Sequence, residues 1–154
     1  MKTTLTLLFA FLLPAICHSE TVSIEDFGVH LFLEKSGRLS KDVTKMEDFW
    51  SWNFRPVTEQ ISNAETFHDF LVKVTLKSDE GDIFKEGEVV TLVIKRRDDN
   101  KTLITRTLKD IYIGSDKTLY KGIWIADHEC EALIISATVA DKTITKELKF
   151  GCGE

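Results

Sequence analysis

Apolar and polar positions alternate with a period of two through much of the second half of the chain, and helical periodicity is scarce. In "FHDFLVKVTLKS", Phe70, Val72, Val74 and Leu76 fall on one face, and Lys73, Thr75 and Lys77 on the other. "EVVTLVIKRR" places Val90, Leu92 and Ile94 on one face. Val89, Thr91 and Val93 fill the opposite one, which predicts a strand covered on both sides. Glu86 and Glu88 before this run, and Lys95, Arg96 and Arg97 after it, guard it against aggregation. "DDNK" (98–101) predicts a turn, and "TLITRTL" runs back from it. "IYIG" leads through a predicted hairpin turn at "GSD" (114–116) into "TLYKGIWIA", where Tyr120, Trp124 and Ala126 share a face. "ALIISATVA" and "TITKELKF" predict a terminal hairpin about Asp141-Lys142.

Upstream of residue 66 the pattern is less regular. "GVHLFLEKSGR" reads as a strand with a turn at Ser36-Gly37, and "LSKDVTKMED" as a loop or one short helical turn. "FWSWNF" alternates, with Trp50, Trp52 and Phe54 on one side and Phe49, Ser51 and Asn53 on the other. Pro56 argues against a central strand just after it, because proline has no N–H to give a ladder.

Roughly seven to nine short strands between turn signals predict an all-β fold, an antiparallel sandwich. On "FLVKVTL", "EVVTLVI", "YKGIWIA" and "ALIISATV…ITKELKF", the stretch 67–154 resembles an immunoglobulin-like β-sandwich. The strand layout is similar to that of many small exported bacterial modules. Strands and loops of 20–66 are expected to pack on it, giving one globular domain over 20–154. The resemblance implies no particular activity.

The chain opens "MKTTLTLLFAFLLPAICHSE": Lys2, an apolar run from Leu5 to Ile16, and small side chains at Cys17 and Ser19, the −3 and −1 positions for cleavage after Ser19. That is the pattern of a signal peptide over residues 1–19, too short to span a bilayer, and it predicts a periplasmic or secreted protein. Removing it takes away one lysine and no acid, so the formal net charge of −5 becomes one unit more negative. A chain of that balance is not expected to bind nucleic acid.

Cleavage after Ser19 leaves Cys130 and Cys152. In an exported chain two cysteines most simply form one disulfide, with a reactive thiol or a metal ligand as the competing readings. A two-residue turn at Asp141-Lys142 would set them one residue off direct opposition, close enough for a bridge across a bulge. The bond would close a loop of about 23 residues and contribute on the order of 3 kcal/mol.

Two stretches carry candidate contacts. Phe49, Trp50, Trp52 and Phe54 are either core rings or an aromatic platform for a protein or a carbohydrate. Asp127, His128 and Glu129 belong to "DHECE", the densest set of possible metal ligands, with His68 and Asp69 as conceivable neighbours. Neither C-x-x-C nor H-x-x-x-H spacing occurs there, so no metal is expected. His30 fits a strand. G-x-S-x-G, the P-loop, the dinucleotide fingerprint and H-E-x-x-H are all absent, so neither a catalytic residue nor a cofactor is indicated. Asn100-Lys101-Thr102 would be a glycosylation acceptor in a eukaryotic host. The expectation is an exported, non-catalytic binding protein acting through a protein or carbohydrate surface, with an inhibitor or immunity role where the partner is basic. The alternatives are a hydrolase working through paired carboxylates, or an envelope accessory that pairs by a strand edge.

Overall fold

The computed structural model describes residues 22–153, so the expected leader, with Cys17, lies outside them. In chain order the strands are β1 (Val22–Leu33), β2 (Arg38–Leu39), β3 (Trp50–Trp52), β4 (Arg55–Val57), β5 (Phe70–Ser78) and β6 (Ile83–Arg96). They continue with β7 (Thr102–Ile113), β8 (Thr118–Ile125), β9 (Leu133–Val139), β10 (Lys142–Leu148) and β11 (Phe150–Gly151). A 3-10 turn at Val43–Lys45 is capped by Asp42, whose carboxylate accepts from the Thr44 N–H.

One antiparallel sheet runs β2-β1-β5-β8 and the other β10-β9-β6-β7. Their inward rows follow from the alternation. Val72, Val74 and Leu76 of β5 join Leu92 and Ile94 of β6 and Ile135 of β9 in one buried cluster. Each such side chain stabilises the fold by about 1.5–3 kcal/mol relative to leaving it in water. In β1 the buried row changes phase, Ile24 first and then Phe27, Val29 and Leu31. A bulge between Ile24 and Asp26 inserts the extra residue that allows it.

Three expectations are corrected. Val89, Thr91 and Val93 are only half-buried, because β6 has a core on one side alone. The turn at 114–116 does not close a hairpin: β7 and β8 belong to different sheets, and β8 pairs along its length with β5. The terminal turn is Ala140-Asp141, with Ala140 at φ 50° and Val139 opposite Lys142. The pairing thus slips by two residues from the expected register. An even slip leaves every side chain on its original face, so the alternation could not detect it.

A third, small sheet runs β11-β3-β4, antiparallel between β3 and β4 and parallel between β11 and β3. Pro56 stands in its edge strand β4, as the missing N–H requires. Asn53 and Phe54 form the two-residue turn between β3 and β4, both with positive φ (48° and 59°). That is the turn whose twist suits a tight hairpin.

Candidate functional site

The small sheet decides the fate of the "FWSWNF" segment. Phe49 is only 7% exposed, and its ring packs edge-on against Phe150. Phe49 is therefore core and cannot serve as a contact residue. Ser51 is buried behind β3. Its N–H donates to the Lys149 carbonyl, and the Asn53 N–H donates to the Gly151 carbonyl. These bonds clamp β3 against the C-terminal strand. Phe54 leaves the tryptophan face because it sits in the turn, and its ring lies 4.3 Å from that of His68.

Trp50 and Trp52 remain on the outer face, 43% and 46% exposed. Their ring centroids are 6.2 Å apart and the planes cross at 64°. One side of Trp52 is covered by the chain tail. A Cβ at Gly153 would stand 2.1 Å from Trp52 Cζ2, so only glycine lets the tail lie there. The Gly153 N–H also donates to Asn53 Oδ1 at 2.9 Å. Val57 lies opposite Trp50 and is exposed, and Arg55 lies opposite Trp52. Trp50 separates two shallow grooves. Asp48 and Glu59 contribute acid to one. Arg97 and Lys149 contribute base to the other.

The Asp127–Glu131 loop lies across the tail from this surface. Cys130 and Cys152 form a disulfide with Cα atoms 5.7 Å apart. The bond ties the loop to the segment that follows β11. His128 is buried among the rings of Phe54, Phe67, Phe70 and Phe150. Its Nδ1–H donates to the His68 carbonyl at 2.5 Å. Nε2 is buried without a partner. Burial holds the imidazole pKa below its ordinary value. His128 is thus an internal, neutral ring rather than a contact residue. Asp127 and Glu129 are exposed, and the Asp127 N–H donates to Asp69 Oδ1. Among the described residues no three His, Cys, Asp or Glu side chains converge as a metal site.

Two features escaped the sequence reading. The first is a cavity of about 300 Å³ beside this loop, bordered by strands of both sheets. Ile94, Ile104, Ile125 and Leu133 line it, and Arg96, Lys101, Asp127, Glu129 and Glu131 also border it. Arg96 Nε donates to Glu131 and Nη1 to Asp99. The second is a set of inward cations on edge strands. Arg106 of β7 pairs with buried Leu92, and Lys121 of β8 with buried Val74, so both start from the core face. Lys142 and Lys146 of β10 do the same, but they reach across to the Ile24 and Phe27 carbonyls of β1. That closes one seam between the sheets. The signal for all four was present, as a lysine or arginine breaking an apolar row.

No protein-family model matches this chain, and no curated protein is similar to it at a significant level.

Proposed function

We propose that this is a small exported, non-catalytic binding protein that grips a protein partner through Trp50 and Trp52. The observation that carries the reading is the pair itself. Two indoles stand half in water on a strand clamped from both sides, while their neighbours Phe49 and Ser51 are buried. Rigid aromatic rings supply large contact area at small entropic cost, and tryptophan is enriched where binding energy concentrates. The flanking grooves, one acidic and one basic, suit the mixed side chains of a protein surface. A carbohydrate fits less well: it stacks on a free ring face, and here the planes are crossed and the tail covers part of Trp52.

Export rests on the leader pattern and agrees with the disulfide. The immunoglobulin-like assignment rests on two four-stranded antiparallel sheets packed over one core. An inhibitor or immunity role is the form this reading takes when the partner is an enzyme. Pairing by a strand edge is disfavoured, because inward charge on an edge strand opposes the addition of another strand. The hydrolase reading draws no support from the cavity, where Arg96 already engages Glu131.

The test is affinity capture from the native host's envelope and medium, wild type against Trp50→Ala/Trp52→Ala. Melting curves must first show that the double variant is folded. A protein retained by the wild type and lost by the variant supports the proposal. The same protein retained by both overturns it.

A further inference from the structure

We propose that the cavity beside the Asp127–Glu131 loop binds a single free amino acid with an apolar side chain, held as its zwitterion. The site is independent of Trp50 and Trp52, none of whose atoms line it.

The volume, about 300 Å³, lies at the small end of the range for ligand pockets. Its apolar lining comes from both sheets. Ile94, Ile104 and Leu133 belong to β6, β7 and β9, and Ile125 to β8. Three of these, Ile94, Ile125 and Leu133, are core residues almost wholly buried and form only the floor; the apolar surface open to a ligand comes from Ile104 together with Leu103 and Ala126. An aliphatic or aromatic side chain fits such a lining; a charged one would lose its hydration there.

The charged groups are divided between two lips. Arg96 and Lys101 come from the β6–β7 hairpin, and Asp127, Glu129 and Glu131 from the loop between β8 and β9. Arg96 and Glu131 are spent on each other. Among the described residues the Lys101 ammonium makes no ion pair within 4 Å, and neither does the Asp127 carboxylate; Glu129 stands 3.9 Å from Arg96. One lip therefore keeps a cation, and the other an anion, with no partner among the described residues, on opposite sides of a cavity with a mixed polar and apolar lining. A ligand that answers all three features has a carboxylate for Lys101, an ammonium for Asp127 and Glu129, and an apolar side chain.

The test is isothermal titration of the purified protein with L-leucine and L-phenylalanine. Two analogues, each lacking one charge, accompany them: 4-methylpentanoate and 3-methylbutylamine. Leucine and phenylalanine should saturate one site, and each analogue should bind about tenfold or more weakly than leucine. Lys101→Met should weaken leucine about as much and leave 3-methylbutylamine unchanged. Asp127→Asn/Glu129→Gln should weaken leucine and leave 4-methylpentanoate unchanged. Both variants should fold. The turn holds Lys101 through its backbone, and asparagine tolerates the φ of 49° at residue 127. Ile104→Phe, which fills the cavity, should abolish binding without lowering the melting temperature. The proposal is overturned if no amino acid saturates a site. It is equally overturned if N-acetyl-leucinamide, which has neither charge, binds as well as leucine; the cavity would then receive a partner's side chain.

Discussion

Between Phe49 and Trp50 the backbone turns one ring into the core and the next into water. Alternation alone shows that Phe49 and Trp50 take opposite faces. It does not show which face is inside. That is settled by Phe150, more than ninety residues away, against which Phe49 packs. His128 is a similar case: nothing in "DHECE" announces the four phenylalanine rings that surround it. Its burial has a consequence for pH. The folded state holds the ring neutral with a pKa below the ordinary 6.5, whereas the unfolded chain protonates near 6.5. Below that value the unfolded state binds more protons, so acid favours unfolding. The contribution is complete above pH 6.5 and is lost as pH falls towards the folded-state pKa. Glu34 adds loss in the same direction, but lower down. The hydrogen bond from His68 depresses its carboxyl below 4.5. Urea midpoints should therefore drop between pH 7.5 and 5. His128→Gln, less stable at pH 7.5, should show a flatter profile over that window. An unchanged slope would place the acid sensitivity elsewhere.

At the scale of elements, most strands of the sandwich were legible because each has one wet face and one dry face. The third sheet was not. Its strands have two or three residues each, and β11 joins β3 in parallel from the far end of the chain. No local pattern encodes such a pairing. The disulfide supplies part of what holds it. Cys130 and Cys152 are separated by 22 positions, for which the chain-entropy model gives about 3 kcal/mol. Cys130→Ala/Cys152→Ala should lose about that much stability in urea denaturation. Hydrogen exchange should localise the effect. The amides of Ser51 and Asn53, which donate to Lys149 and Gly151, should exchange faster, while those of β5 keep their protection relative to the global stability. A uniform increase would mean that the bond stabilises the fold without specifically holding β11.

For the whole molecule, the two seams between the sheets differ. On the β1/β10 side Lys142 and Lys146 clasp backbone carbonyls of β1, and Lys146 also pairs with Asp26 at 2.8 Å. On the other side β7 and β8 end their sheets with Arg106 and Lys121 rising from the core face. A strand added there would trap these charges, which works against edge-to-edge association. Arg106→Val/Lys121→Ile should therefore self-associate at concentrations where the wild type stays monomeric by light scattering. Equal behaviour would remove this protective role.

The binding surface depends on Trp50 and Trp52 standing in water, and quenching measures that directly. In Trp124→Phe only these two indoles remain to report. Iodide should quench the emission of the folded variant nearly as well as that of the urea-unfolded chain, and the emission should be solvent-like in wavelength. Blue-shifted emission that iodide cannot reach would show both rings to be core and would contradict the account.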